Sequence, residues 1–176
     1  MLSPVPKSPV PLHGDRPSFQ AEDSDHRARY LESLHLIERL HRLLLDLVKD
    51  EFERLGVDEL TPVQAMLLYN LGEFEVSAGE LRSRGMYQGS NVSYNLKKLV
   101  TMGYVHHERS DTDRRAVRVR LTEQGARIRQ VVAALFTRHA EGLHMSGVLD
   151  DPSLDQVTRQ WRRIERYWVD QIRYIY

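Results

Sequence analysis

Apolar residues recur at three- and four-residue steps through most of the chain, and that spacing changes only once. Leu34, Ile37, Leu40, Leu44, Leu47 and Leu55 form one such series, which predicts a long helix over about 25–55 stopped by Gly56. Thr61-Pro62-Val63-Gln64 then reads as a helix start. Threonine caps, proline suits the first helical position, and glutamine three residues after the cap completes a capping box. This second helix should end at Gly72. Ser77-Ala78-Gly79-Glu80 repeats the capping pattern and predicts a short helix over about 77–85, and Gly89 to Met102 predicts another, closed by Gly103. The period then drops to two. Val105–Arg109 and Ala116–Leu121 read as paired strands, the second alternating Val117, Val119 and Leu121 with Arg118 and Arg120. Beyond them Thr122 caps a helix to about Met145 carrying Ile128, Val131, Val132, Leu135 and Phe136. A last helix carries Leu154, Val157, Trp161, Ile164, Trp168, Ile172 and Ile175.

The expected fold class is therefore mainly α with a small β-hairpin, a module over 61–122 flanked by longer helices over 25–56 and 123–176. The flanking helices hold more apolar stripe than one small module can cover. Either they bury it against a second copy, or they form an intramolecular helical cap. Residues 1–24 hold five of the seven prolines and almost no periodic pattern, so they read as an extended or mobile arm.

Charge changes this picture locally rather than globally. Lys plus Arg and Asp plus Glu are both 25, a balance that taken alone argues against a polyanion partner. Yet residues 82–120 hold nine Lys/Arg against three Asp/Glu, while 21–60 hold six against eleven. A phosphate backbone responds to such local potential. Cysteine is absent, which excludes disulfides, thiolate metal sites and a cysteine nucleophile. No apolar run approaches the ~20 residues of a membrane span, and the expected location is cytoplasmic.

Helix, tight turn, helix and basic hairpin is the order of a winged helix-turn-helix, whose second helix enters the major groove of duplex DNA. That helix contains Ser90-Asn91-Val92-Ser93-Tyr94-Asn95-Leu96-Lys97-Lys98-Leu99. Val92, Leu96 and Leu99 share its inner face. Ser90, Asn91, Ser93, Tyr94, Lys97 and Lys98 supply hydrogen-bonding or cationic side chains without a carboxylate, the chemistry that reads base edges and phosphates. Ser90 and Asn91 suit capping equally well, and Tyr94 could instead cover an apolar patch. At the hairpin tip Arg114 and Arg115 suit a narrow minor groove, with Asp111 and Asp113 holding the turn. Arg118 and Arg120 either touch flanking phosphates or face solvent.

These residues resemble a known family. Val92-Ser93, Leu96, Leu99 and Gly103, then Asp111-Thr112-Asp113-Arg114-Arg115 and Leu121-Thr122-Glu123-Gln124-Gly125, look like the MarR-type regulators, bacterial winged-helix dimers. The resemblance spans about residues 28–175 and rests most specifically on the Asp-x-Asp-Arg-Arg wing and the Leu-Thr-x-x-Gly exit. It implies a sequence-specific DNA-binding regulator, by default a repressor, acting as a homodimer on a pseudo-palindromic operator. It implies major-groove contacts from Ser90 to Lys98 and minor-groove contacts from Arg114 and Arg115. Dimerisation would then fall to Leu34, Ile37, Leu154, Val157, Trp161, Ile164, Trp168 and Ile172. A small aromatic or anionic effector is a further expectation, with Leu36, Leu40, Arg42, Met66 and Tyr69 as wall residues that serve equally as ordinary core or surface. Two positions depart from the family pattern: Tyr94 stands where arginine is frequent, and Asn95 where an apolar residue is frequent.

Other chemistry finds less support. His106 and His107 are adjacent on a strand and point to opposite faces. His35 with His41, and His139 with His144, have spacings that do not align on a helix, so no metal site and no cofactor is expected. No phosphate loop, nucleophile elbow or zinc-protease motif occurs, so an enzyme is not expected. The rival function is a winged-helix protein-interaction module that binds an acidic partner without reading DNA sequence.

Overall fold

A computed structural model describes the backbone over residues 19–72, 76–77, 89–109 and 117–175, and side chains over 24–72, 93–107 and 119–174. It contains α1 (Phe19–Leu55), α2 (Pro62–Leu71), β1 (Val76–Ser77), α3 (Gly89–Thr101), β2 (Val105–Arg109), β3 (Val117–Leu121), α4 (Glu123–Met145) and α5 (Asp151–Ile175). The chain divides into two compact units, residues 1–44 and 45–176. In the first unit Leu34, Ile37 and Leu44 are half-buried, while Leu36 and Leu40 are exposed.

The second unit is organised around α2, which packs against α4, β3 and α3. Its start follows the capping chemistry. Gln64 N–H donates to Thr61 Oγ1 at 3.3 Å, and Thr61 N–H donates to Gln64 Oε1 at 3.1 Å, which satisfies two amides that the first turn leaves without partners. Five of its ten residues are buried, so this short helix is held by its surroundings rather than by a single stripe. The core joins Val48 and Phe52 of α1, Leu67, Leu68 and Leu71 of α2, and Leu96 and Leu99 of α3. Leu60, Ala65, Tyr104, Val105, Val119, Ile128, Val132 and Leu135 complete it.

Three elements differ from the pattern-based expectation. The first helix begins at Phe19, inside the stretch read as an arm to residue 24, because no proline or glycine follows Pro17 to interrupt it. Ser77, expected to cap a short helix over 77–85, is instead the second residue of strand Val76–Ser77, and residues 78–85 of that expected helix lie outside the described residues. The hairpin is consequently part of a three-stranded antiparallel sheet in the order β1-β3-β2. Its register pairs Val76 with Val119, and Val105 with Leu121 through Arg109 with Val117. A two-residue strand carries no alternation to read. In α1 the core-facing positions are Val48, Glu51 and Phe52, whereas Leu47 and Leu55 of the expected stripe are exposed.

Candidate nucleic-acid interface

Helix α3 has one closed and one open side. Leu96 and Leu99 are buried on the core, and Ser93, Tyr94, Lys97, Lys98 and Thr101 are exposed, Tyr94 at 67%. None of the thirteen residues Gly89–Thr101 is acidic. A solvated helix face ordinarily mixes both signs of charge, so this face suits a polyanion. Ser90 and Asn91 fall in the first turn, and their side chains lie outside the described residues.

Asn95, one of the two departures from the family pattern, is half-buried between the two sides. Its Oδ1 accepts from Gln64 Nε2 at 3.3 Å, 31 residues away in sequence, so α2 and α3 share a polar bond beside the buried Leu96 and Leu99. The capping box announced Gln64 as an α2 residue, but nothing in the pattern signalled that its other amide end reaches α3.

The sheet sets the base of the wing. Arg118 lies opposite Glu108 on one side and Ser77 on the other, and its side chain, like residues 110–116 with Arg114 and Arg115, lies outside the described residues. Arg120 is exposed opposite His106.

Below the wing the Leu121-Thr122-Glu123-Gln124-Gly125 exit has a specific geometry. Thr122 caps α4 by accepting from Gly125 N–H at 3.1 Å, donates its hydroxyl to the Gly103 carbonyl at 2.8 Å, and donates its amide to the Tyr104 carbonyl at 3.1 Å. A Cβ on Gly125 would stand 2.1 Å from that same Tyr104 oxygen. Glycine is therefore required by close approach, and the motif welds the end of α3, the last strand and α4 into one joint. Tyr104 is itself buried, and its hydroxyl donates to Glu59 Oε1. Burial, then this carboxylate, push its pKa up to about 12.

A second polar joint holds α1 to α4. Glu51, 8% exposed, accepts from Arg54 Nε at 2.9 Å, Arg54 Nη2 at 2.8 Å and Arg138 Nη2 at 2.6 Å. The hydrogen bonds from Arg54, then those from Arg138, hold its carboxyl down at about 2.

The expected dimerisation residues of α5 are spread over a surface. Leu154, Val157 and Ile172 are exposed, and Trp161, Ile164 and Trp168 are half-buried. Of the expected effector-wall residues, Leu36, Leu40 and Arg42 are exposed in the first unit. Met66 and Tyr69 pack on the core of the second, the Tyr69 ring edge-on to Phe136 at 5.1 Å and 86°.

Known proteins match this arrangement. Residues 60–125 match the family model described as a winged helix DNA-binding domain. The exopolysaccharide II synthesis transcriptional activator ExpG of Rhizobium meliloti (strain 1021) is 36% identical over 163 residues, spanning 91% of this chain and 82% of that protein. A mutant MarR from E. coli complexed with operator DNA superposes with a TM-score of 0.61 at 18% identity, over 77% of this chain and 95% of that one. Bordetella bronchiseptica BpsR, whose DNA binding is regulated by 6-hydroxynicotinic acid, gives 0.61 at 16% identity, over 76% and 98%. The chain belongs to the MarR-type winged-helix transcriptional regulators, and it is a DNA-binding regulator of transcription.

Proposed function

We propose that the protein acts as a homodimer on a pseudo-palindromic operator. Helix α3 of each copy enters a major groove, and the two half-sites lie about one helical turn, ~10 bp, apart. The observation that carries this is the open face of α3, acid-free and exposed at Ser93, Tyr94, Lys97 and Lys98 while Leu96 and Leu99 close the other side. Ser90 and Asn91, in the first turn of α3, are proposed to read bases there, since groove-reading residues cluster at the start of such a helix. Arg114 and Arg115 enter the flanking minor groove, and Arg118 steadies the wing on phosphates. Leu34, Ile37 and the α5 stripe form the interface between copies. The sign of regulation is taken from the 36% identical relative, named an activator, in place of the repression that the family resemblance implies. A small aromatic or anionic effector is proposed, in the chemical range of the 6-hydroxynicotinic acid that regulates DNA binding by BpsR, with Leu36, Leu40 and Arg42 as candidate contacts in the first unit and, separately, Met66 and Tyr69 in the second.

The test is selection of bound sequences from a random duplex pool at near-physiological salt, since electrostatic binding depends on ionic strength. Recovery of a two-fold-related motif is the expected result. Binding without enrichment would overturn the operator reading and leave a protein partner for the basic hairpin.

A further inference from the structure

We propose that Asn95 is a positioning residue for sequence reading: its bond to Gln64 fixes the rotation of α3 about its own axis, and hence which side chains meet the bases. This rests on the reading of α3 as the helix that enters the groove.

The polarity of the bond follows from chemistry. A backbone N–H can only donate, so the end of the Gln64 amide facing Thr61 N–H must be Oε1. Nε2 is thereby aimed toward α3 and requires an acceptor, which Asn95 Oδ1 supplies. Gln64 is 1% exposed, so no bulk water replaces that acceptor. Among the described residues, the apolar contacts of α3 with the core come from Leu96, Leu99 and the half-buried Val100. Apolar contact is non-directional and tolerates a few degrees of roll, whereas a hydrogen bond weakens with misalignment. Ser93, Tyr94 and Lys97 lie within two residues of Asn95, so any roll at Asn95 moves all of them across the base edges. The polar pair thus does what an apolar residue at this position would not.

The experiment compares four proteins: wild type, Asn95→Leu, Gln64→Leu/Asn95→Leu and Asn95→Asp. Each is measured for Tm and for discrimination, the ratio of Kd between the selected operator and a copy with one half-site base pair changed. Asn95→Leu strands Gln64 Nε2, so both Tm and discrimination should fall, the latter about tenfold, comparable to losing one base contact. The double variant removes the stranded donor but also deprives Thr61 N–H of its capping-box acceptor, so it should recover only part of the Tm lost in Asn95→Leu, while discrimination stays low because the directional bond is gone. Asn95→Asp keeps the acceptor. Its added charge weakens binding to every duplex, but discrimination should remain near wild type.

Discrimination that tracks Tm through all variants would reduce Asn95 to a stability role and overturn the proposal. So would Asn95→Leu retaining the wild-type ratio. A wild type that itself discriminates between no sequences removes the groove-reading role of α3, and this proposal with it. That outcome is distinguishable because it appears before any substitution is made.

Discussion

At the residue scale two side-chain positions carry disproportionate structural weight. Gly125 has no need of unusual dihedrals; what excludes a side chain is the Tyr104 carbonyl, 2.1 Å from where a Cβ would stand. Because the obstacle is backbone, it can yield only by parting α4 from the joint at the base of the wing. Gly125→Ala should therefore cost about 1–3 kcal/mol, the range for overpacking a filled site, and chemical denaturation measures it. An unchanged midpoint would mean that the joint is looser than its geometry indicates. Glu51 is legible in another way, through pH. Its folded pKa of about 2 lies below the ordinary 4.5, so the stabilisation it gives is fully present above about 4.5 and is lost as pH falls toward 2. Glu51→Gln keeps the volume and removes the charge. It should destabilise by about 1–2 kcal/mol near neutrality, below the full value of hydrogen bonds to a buried charge because both arginines are more than half exposed. The gap between wild type and variant should close as pH falls from about 5 to 2. A gap that stays constant across that range would remove Glu51 as its source.

At the element scale, what could be read from sequence was whatever local chemistry fixes. The bounds of α2, α3 and α4 follow caps, glycines and proline, and β3 follows a clean alternation at period two. The misreadings occur where a distant partner decides. Strand β1 exists because β3 offers it an edge, not because two residues prefer extension. Val48 and Phe52 of α1 join the buried core of the second unit, while Leu47 and Leu55, which belong to the expected stripe, remain exposed. The open face of α3 was legible because its residue types and the helical period suffice to sort inside from outside. The Gln64–Asn95 and Glu51–Arg138 bonds were not, since each joins residues far apart in sequence. The exposed face supports a prediction of its own. Lys97→Ala should weaken binding to specific and random duplex alike and lower the salt slope by about 1, as for one lost phosphate contact. Asn91→Ala, proposed as a base contact, should instead cost about 1–3 kcal/mol only on the selected operator. Fluorescence anisotropy over a salt series separates the two, and equal effects on both duplexes would return Asn91 to helix capping.

At the scale of the whole molecule the packing leaves α5 to be accounted for. None of its described residues belongs to the buried core, yet it carries two tryptophans and an apolar stripe from Leu154 to Ile172. Ordinary surface helices do not sustain such a stripe over about five turns unless something covers it. A second copy is the occupant we propose, and exposure offers a way to test it that leaves the fold alone. Leu154 is 51% exposed and Ile172 61%, so replacing them by aspartate should alter the stability of the isolated chain by no more than roughly 0.5 kcal/mol. Buried at an interface, the same two carboxylates would be costly to desolvate. The Leu154→Asp/Ile172→Asp protein should therefore keep its helical content yet sediment as a monomer at micromolar concentration, where wild type sediments as a dimer. Operator affinity should fall with it, because linking two half-site readers makes the second contact intramolecular at an effective concentration in the mM range, and avidity of about 10²–10⁴ is lost when the link is cut. Affinity for a single half-site should change far less. If the double variant remained dimeric, the interface would lie elsewhere. If it became monomeric with operator affinity intact, each chain would read its site alone, and the two-fold symmetry of the operator would lose its physical basis.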